Sequence, residues 1–433
     1  MIKITIYRGT QEIGGTLIEL KTANSRILID AGYPLFLQGN PIEDRIAKLS
    51  STELLELGVL PKIKGLYTWN SAGFDAVIIS HAHLDHYGLL KYINPAIPVY
   101  MSAGTQKLIE ISQLFKLCDI YNLTIKQFKM FEVFLVGDYE IMPYLMDHSA
   151  FDAAAFEIKA EGKTVIYTGD FRGHGHKALF LDRFIKQATK SADVLLTEGT
   201  MLGRQDENVQ TEEKLKEAIV DVARQHSGPV LFQSSGQNID RLVTFFKVAL
   251  SLKKTFVIDL YTANVLYELR QLGNNHLPFP SDEYKNIRVF YPWRLAKKVN
   301  DEIGVEYADR FFAYRIKQDE LAVKQNNVVM MVRPSMQKDL TRCGLRDGLF
   351  IYSLWQGYRS SAYQQKFEAY LKNAGFTCKE FHTSGHAAVK DIQRLITGLD
   401  PLKVVPIHTM NPGAFGAFSV KTELRNDGEE FTI

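Results

Sequence analysis

The sequence contains few cysteines and no long hydrophobic run, and each shortage excludes a class of protein. Only Cys118, Cys343 and Cys378 occur in 433 residues, and none belongs to a Cys-x-x-Cys pair. This excludes a disulfide framework and favours reduced thiols in a cytoplasmic protein. No segment approaches the roughly 18 consecutive apolar residues that a membrane span needs. The first residues, "MIKITIYRG", alternate like a β-strand and do not resemble a secretion signal.

Neither positive nor negative residues are in large excess, but the charges are unevenly distributed along the chain. The formal net charge of the whole chain is +2, whereas residues 241–380 contain 22 Lys+Arg and 14 Asp+Glu, a local balance of +8. A basic middle segment beside an acidic remainder suits a polyanionic substrate. A solvated basic surface would give the same excess, so charge alone does not identify the partner.

The pattern of apolar residues changes along the chain. At this length two compact units are expected rather than one. Short apolar runs that end in Gly, Asp or His dominate the first 200 residues, and amphipathic helices alternate with buried strands from about residue 204. That alternation is typical of a parallel α/β unit. We predict one domain formed by residues 1–203 and 353–433, with residues 204–352 inserted as a second α/β domain.

The segment "VIISHAHLDHYGLL", residues 77–90, concentrates three histidines and an aspartate in six positions. A buried strand precedes the histidines and a helix is expected to follow them. Imidazole nitrogen and carboxylate oxygen are the ligands that borderline divalent cations such as zinc prefer. His81, His83, Asp85 and His86 are therefore candidate metal ligands.

Further histidine and acidic residues stand directly after apolar strands elsewhere in the chain. They are Asp30, His148, Asp170, Glu198 and His408. In an α/β sandwich the ends of neighbouring strands converge on one edge, where ligands bind. One such residue alone is usually a cap or a turn residue, but all of them together with the His-x-His-x-Asp-His segment predict a composite metal site.

These motifs carry a resemblance to a known family that extends over essentially the whole chain. The order Asp30, His81-Ala82-His83-Leu84-Asp85-His86, His148, Asp170 resembles the metallo-β-lactamase fold of binuclear metal hydrolases. Glu198, Ser384-Gly385-His386-Ala387 and Ile407-His408-Thr409 resemble the three further motifs of the β-CASP nucleases, which include ribonuclease J. The resemblance implies an α/β protein with an αββα metallo-β-lactamase sandwich and an inserted α/β β-CASP domain.

The resemblance also implies two divalent metal ions, zinc as the first choice and manganese as the alternative. It assigns the ligands as His81, His83 and His148 for one ion, Asp85, His86 and His408 for the other, and Asp170 between them. Asp30 would lie outside the coordination shell and orient a ligand histidine. Two such ions, about 3.5–4 Å apart, bind a hydroxide that attacks phosphorus, and they neutralise the negative charge that develops there.

Two further roles concern the leaving group and the substrate phosphate. His386 is the candidate general acid, because imidazole titrates near operating pH, and Glu198 would orient it and keep it protonated. Phosphate-binding candidates are Ser234, Ser235, Asn238, Ser384 and Gly385. For the first three, ordinary capping of a helix N-terminus is an equal alternative to phosphate binding.

The segment "YPWRLAKKVN" places an aromatic ring beside three cations. Trp293 with Arg294, Lys297 and Lys298 can stack a base and contact backbone phosphate, or can be an ordinary surface helix. The sequence leaves both interpretations open.

The function expected from the resemblance is metal-dependent hydrolysis of RNA, with single-stranded RNA as the partner. A DNA nuclease and a small-ester or phosphodiester hydrolase of the same fold are the alternatives. The small-ester hydrolases are usually shorter and lack the insert, and the DNA-repair branch typically replaces the last motif histidine, which is present here as His408. Endonuclease or exonuclease action, the choice between zinc and manganese, and homo-oligomer formation are left open by the sequence.

Overall fold

A computed structural model describes residues 1–37, 40–42, 46–119, 122–204, 209–273 and 275–433. The chain folds into two compact units. The first comprises Met1–Ile109, Cys118–Asn208 and Gly385–Ile433, and the second comprises Glu110–Leu117 and Val209–Ser384. None of the helices in the described part of the chain is both long and apolar enough to cross a bilayer.

Strands and helices alternate along both units. The strands are β1 (Lys3–Arg8), β2 (Leu17–Lys21), β3 (Arg26–Ile29), β4 (Phe36–Leu37), β5 (Asn40–Pro41), β6 (Ala76–Ile78), β7 (Val99–Ser102), β8 (Ile125–Phe128), β9 (Phe134–Val136), β10 (Tyr139–Leu145), β11 (Ala154–Ala160), β12 (Lys163–Tyr167), β13 (Val194–Glu198), β14 (Val230–Gln233), β15 (Thr255–Asp259), β16 (Ile287–Phe290), β17 (Arg315–Ile316), β18 (Val328–Met331), β19 (Leu349–Tyr352), β20 (Thr377–Glu380), β21 (Val404–Ile407) and β22 (Glu430–Thr432). The α-helices are α1 (Ser51–Glu56), α2 (Leu84–Tyr87), α3 (Ala103–Leu114), α4 (Leu179–Gln187), α5 (Glu212–Ala223), α6 (Ile239–Ser251), α7 (Leu260–Gln271), α8 (Trp293–Lys298), α9 (Glu306–Asp309), α10 (Gln318–Val323), α11 (Gln337–Cys343), α12 (Ala362–Asn373) and α13 (Val389–Leu399).

The first unit is a sandwich of two sheets with a shared core. One sheet has the order β22-β1-β2-β3-β6-β7-β8 and the other the order β21-β13-β12-β11-β10-β9. Ile29 from the first sheet and Ile158 from the second belong to one buried cluster, so these faces pack together. Ile166 and Leu195, which alternate onto the opposite face of the second sheet, pack with Leu181 of α4 instead. This alternation is what produces the αββα layering that the resemblance implied.

Parallel pairing brings the carboxyl ends of several strands in the first unit to common edges. Within the first sheet β3 pairs in parallel with β6. Within the second sheet β12 pairs in parallel with β13, and β13 with β21. The residues that follow these strands include every strand-end candidate from the sequence except His148, which follows the antiparallel strand β10.

The second unit is built on one sheet with the order β17-β16-β15-β18-β14-β19-β20. Every neighbouring pair in this sheet is parallel. Its central strands are buried on both faces, as in Val230–Gln233 and Val328–Met331, because helices connect successive parallel strands. The predicted parallel α/β character is therefore found in this unit.

The predicted end of the inserted domain at residue 352 is wrong, because the second unit continues to Ser384. Residue 352 closes β19, whose register pairs Tyr352 with Glu380 of β20. The helix α12 connects these two strands, so the chain completes a further strand–helix–strand unit before it leaves the sheet. The sequence interpretation also did not anticipate that Glu110–Leu117 belongs to the second unit.

Candidate metal centre

The first predicted ligand group has donor atoms at metal-ligand spacing. His81 Nε2 lies 3.1 Å from His83 Nδ1, which lies 3.2 Å from His148 Nε2. Nitrogens bound at about 2.0–2.1 Å to a tetrahedral zinc are separated by about 3.3–3.4 Å. Asp170 is the fourth member of this group. The donor atoms of the four residues all lie within 4.8 Å of one another.

The second predicted group shares Asp170 with the first. It contains Asp85, His86, Asp170 and His408. His408 Nε2 is 3.3 Å from Asp85 Oδ2, and His86 Nε2 is 3.3 Å from Asp170 Oδ2. Because Asp170 belongs to both groups, the described residues provide two adjacent donor sets with one carboxylate in common.

Asp30 fixes the orientation of His86 from behind. His86 Nδ1 lies 2.7 Å from Asp30 Oδ2. An ionised carboxylate only accepts hydrogen bonds, so Nδ1 donates to Asp30 and Nε2 faces the donor set. Asp30 also accepts from the backbone N–H of Ser80 at 2.7 Å, from the Ser80 hydroxyl at 2.8 Å and from the Tyr167 hydroxyl. It does not belong to any of the donor groups formed by the described residues.

Backbone and hydroxyl groups orient two other histidines. His148 Nδ1 donates to the carbonyl oxygen of Gly385 at 2.7 Å, which leaves Nε2 for the donor set. His408 Nδ1 lies 2.9 Å from the Thr200 hydroxyl, and the backbone N–H of His408 donates to the carbonyl of Gly9 at 2.6 Å. Gly385, predicted to bind substrate, thus contacts a candidate metal ligand through its carbonyl.

The buried charges of the centre fit a divalent cation. Both carboxylate oxygens of Asp170 and Nε2 of His86 are buried without a hydrogen-bond partner among the described residues. Burying such groups without a partner is costly, so a cation that binds between them removes a penalty. The donor set, imidazole nitrogen and carboxylate oxygen, is one that suits zinc, with carboxylate also suiting manganese.

The electrostatics of the histidines agree with this fit. Burial lowers the pKa of His81 and of His148 well below the usual value, so these rings are neutral and have lone pairs to offer. Burial also acts to lower the pKa of His86, but the carboxylates of Asp170 and Asp30 outweigh it and raise that pKa. The same negative potential that holds a proton on His86 would hold a metal cation.

His386 and Glu198 form a pair beside the shared carboxylate. His386 Nδ1 is 3.2 Å from Glu198 Oε2 and 3.5 Å from Asp170 Oδ2. Burial acts to lower the pKa of His386, but Glu198 and Asp170 raise it to about 9. Glu198 is itself held by the backbone N–H of Phe171 at 2.9 Å. The imidazole is therefore held protonated at neutral pH, with its Nδ1 directed at a fixed carboxylate.

The remaining phosphate-binding candidates lie in the second unit. Asn238 is the N-cap of α6, and its side-chain oxygen accepts from the backbone N–H of Arg241 at 3.0 Å. Ser235 Oγ accepts from the backbone N–H of Gln237 at 3.2 Å, and Ser234 is buried. Ser384 is the last residue of this unit. The side chain of Asn238 therefore caps the N-terminus of α6, which is one of the two alternatives that the sequence left open.

Sequence reasoning missed the residues that orient the ligands. Ser80, Tyr167 and Thr200 place their hydroxyls on Asp30 or on His408. Each is adjacent in sequence to a site segment, since Ser80 precedes His81 and Thr200 follows Glu198 by two positions. Proximity to a ligand is a weak signal, however, because a hydroxyl residue is ordinary in any strand-end loop.

Comparison with known proteins supports the architecture of both units. Residues 25–225 match the family described as "Beta-lactamase superfamily domain". The chain is 25% identical over 426 residues to a protein named ribonuclease J from Helicobacter pylori (strain B128), covering 94% of this chain and 56% of that protein. It is 22% identical over 443 residues to ribonuclease J from Mycoplasma genitalium, covering 100% of this chain and 70% of that protein. The chain thus spans little more than half of the Helicobacter relative.

A solved structure matches the fold over its full length. The crystal structure of a protein of unknown function from Enterococcus faecalis V583 superimposes with a TM-score of 0.77 at 22% sequence identity, and covers 100% of both chains. This match concerns the fold alone. Residues 25–225 are thus similar to the β-lactamase superfamily domain, and the chain as a whole is similar in sequence to proteins named ribonuclease J.

Proposed function

We propose that the protein is a binuclear metal-dependent nuclease that hydrolyses phosphodiester bonds of single-stranded RNA. The observation that carries the proposal is the pair of donor groups that share Asp170, with His386 and Glu198 in a third group around the same carboxylate. The relatives at 25% and 22% identity carry the name ribonuclease J, which supports RNA as the substrate. Zinc is the first choice of metal because imidazoles dominate the donors, and manganese is the alternative.

Seven side chains would hold the two metal ions. They are His81, His83 and His148 in one group, Asp85, His86 and His408 in the other, and Asp170 in both. When bound, two divalent cations supply an activated water nucleophile and neutralise charge that develops on the phosphate. The chain itself supplies rigid orientation. Asp30 and the carbonyl of Gly385 each fix one ring nitrogen of a ligand histidine and thereby direct the other nitrogen inward.

His386 is the proton donor for the leaving oxygen in this proposal. Its Nδ1 is directed at Glu198, so the proton delivered to the leaving group is the one on Nε2. In the metal-free site Glu198 and Asp170 raise the pKa of His386 to about 9, and its contact with Glu198 favours the protonated ring, the form a general acid needs. Glu198 acts through His386 and is a positioning residue.

Phosphate contacts from Ser234, Ser235, Asn238, Ser384 and Gly385 remain part of the proposal. Backbone N–H groups at the start of a helix attract phosphate because of the helix dipole, and Ser234 and Ser235 lie in the loop between β14 and α6. The side-chain oxygen of Asn238 is used by its cap, so its contribution would come from the side-chain N–H₂ group.

Digestion of end-labelled RNA and sequence-matched DNA tests the proposal. Each strand would be offered with a 5′-monophosphate, with a 5′-triphosphate and as a circle, in Zn²⁺ and in Mn²⁺. We expect metal-dependent cleavage of the RNA that chelation abolishes. Cleavage of the circle identifies endonuclease action, and cleavage of only linear ends identifies exonuclease action. Equal or preferential cleavage of DNA, or hydrolysis of a small phosphodiester without any cleavage of RNA, would overturn RNA as the substrate.

A further inference from the structure

Two exposed tryptophans lie at the same edge of the parallel sheet in the second unit. Trp293 follows the end of β16 by three residues, and Trp355 follows the end of β19 by three residues. Their exposed fractions are 58% and 46%. Both strands run in the same direction, so both residues stand past the carboxyl edge, where ligands of open α/β sheets bind.

The separation of the two strand ends that precede the tryptophans follows from the strand order. β15, β18 and β14 lie between β16 and β19. Four inter-strand steps of about 4.8 Å place the ends of β16 and β19 about 19 Å apart. The loops that follow the intervening strands β14 and β18 contain Ser234, Ser235 and Arg333. The edge thus carries an aromatic residue on each side of a polar and cationic stretch.

Trp355 is held in place although it is exposed. A Cβ atom added to Gly357 would lie 2.2 Å from the Trp355 ring, so the indole packs directly against a glycine backbone. The Tyr358 ring meets the Trp355 ring edge-on, with centroids 5.4 Å apart and an interplanar angle of 89°. The Tyr352 hydroxyl donates to the carbonyl of Trp355 at 3.1 Å. A large apolar ring fixed at the surface by these contacts is arranged for a partner rather than for the core.

Charge indicates which partner this edge fits. Residues 241–380, which contain both tryptophans, carry the local excess of +8. Arg294, next to Trp293 on α8, is exposed. Lys297 pairs with Asp301 at 2.5 Å and Arg333 pairs with the buried Asp259 at 2.5 Å, so phosphate binding is assigned to Arg294. Aromatic faces stack on bases of any sequence, and neighbouring cations bind the phosphates between them. Unstacked bases are available in single strands and not inside a duplex.

We propose that Trp293 and Trp355 are base-stacking residues for single-stranded RNA along the carboxyl edge of this sheet, with Arg294 contacting the backbone phosphate. This inference rests on the proposed ribonuclease function and adds to it the part of the second unit that binds the substrate strand. Each ring stacks on one base, so that loss of either ring weakens binding of single strands and not of duplexes.

Equilibrium binding of a fluorescent single-stranded RNA, measured in EDTA to prevent cleavage, tests the inference. We expect Trp355→Ala and Trp293→Ala each to weaken binding about 10-fold, and the double variant to weaken it further. Trp355→Phe should retain most of the affinity, whereas Trp355→Leu should lose it, because leucine fills space without an aromatic face. Matched controls are Trp69→Ala, an exposed tryptophan of the first unit, and Phe312→Ala, an exposed aromatic of the second. Neither control should change RNA affinity.

The outcomes separate this inference from the proposed function. Wild-type protein that binds single-stranded RNA but cleaves none would contradict the proposed function, and the tryptophan variants would still decide the inference. Wild-type protein that cleaves RNA, with unchanged affinity in both tryptophan variants, would overturn the inference alone. Equal loss for Trp355→Phe and Trp355→Ala would also overturn it. A change in self-association without a change in RNA affinity would show instead that this edge contacts another protein chain.

Discussion

Two buried charges, one in each unit, are satisfied in different ways. In the second unit the fully buried guanidinium of Arg241 pairs with the fully buried carboxylate of Glu212 at 3.1 Å and also bonds to the Ser353 hydroxyl. In the first unit the carboxylate oxygens of Asp170 are equally buried and have no hydrogen-bond partner among the described residues; they face only histidine nitrogens, with His86 Nε2 at 3.3 Å and His386 Nδ1 at 3.5 Å from Oδ2. Burial alone therefore does not distinguish a structural charge from a functional one. What distinguishes them is whether the surrounding protein satisfies the charge.

This difference has an energetic meaning. In a buried pair such as Arg241–Glu212 each charge is compensated by the other. The free-energy cost of burying a charge appears only when one partner is removed. A buried charge without a partner carries its cost continuously, unless a ligand that comes from outside satisfies it. The candidate metal centre is thus a place where folding free energy is given up for binding. The following predictions test this contrast, from the largest expected effect to the smallest.

Asp170→Asn should have the largest effect on activity. Because Asp170 belongs to both donor groups, its neutralisation should weaken both metal sites and reduce RNA cleavage by roughly 10⁴-fold or more. The metal content measured by elemental analysis should fall below the value of close to two divalent cations per chain that is expected for the wild type. Added metal should raise the free energy of unfolding of the wild type, because a cation binds the buried donors of the native state, and should raise that of the variant much less. Equal stabilisation of wild type and Asp170→Asn by metal would contradict the contrast.

Arg241→Met should have a large effect on stability and none on metal binding. It leaves the carboxylate of Glu212 buried without its cation, which should reduce the free energy of unfolding by about 3–5 kcal/mol. Denaturant titration measures this loss. The double variant Arg241→Met/Glu212→Met is the matched control and should recover much of the stability. Metal content per folded chain should be unchanged in both, and a loss of metal would show that the two kinds of charge are not separate.

His386→Ala should slow RNA cleavage by about 10²–10⁴-fold while both metals remain bound. The loss should be smallest for a nitrophenyl phosphodiester, whose leaving group needs no proton. His408→Ala provides the comparison, because His408 belongs to the second ligand group and its loss should remove a metal. Equal slowing of RNA and the activated ester by His386→Ala, or loss of a metal from that variant, would assign His386 a ligand or positioning role.

Asp30→Asn should have the smallest effect of these, about 10–100-fold on metal affinity. The amide still bonds to Ser80 but no longer holds His86 Nδ1 through a charge. Tyr167→Phe removes one hydroxyl from the same carboxylate and should weaken metal binding less than Asp30→Asn. Competition with a chromophoric chelator measures both affinities. A larger effect for Tyr167→Phe would mean that the hydroxyl, rather than the carboxylate, positions His86.

The candidate ligands are signalled locally in the sequence. The segment from His81 to His86 contains four of them, and Asp170 and His408 each follow an apolar strand, so the position of each strand end is predicted by periodicity. The parallel sheet of the second unit follows from the alternation of strands and helices, whereas the layering of the first unit was implied by the family resemblance. Roles in catalysis stay predictions, since geometry alone does not test them.

What the sequence could not predict depends on contacts between distant segments. The carbonyl of Gly385 accepts from His148 across 237 positions of sequence, and a backbone carbonyl leaves no trace in residue identity. The boundary at residue 352 failed because the end of one strand looks like the end of a domain until its partner, here β20, is known. Trp355 gave no signal of its own, since its fixed position depends on Gly357 and Tyr358 packing around it.

The distribution of the ligands along the chain has a consequence for biosynthesis. Every side chain of the first donor group has been translated once residue 170 is made, whereas the second group waits for His408. The intervening stretch of roughly 240 residues takes roughly 10–50 s to synthesise at cellular elongation rates. A growing chain on the ribosome therefore contains the ligands of one metal site long before those of the other. In the proposed nuclease, hydrolytic competence would therefore wait until the second ligand group has been translated.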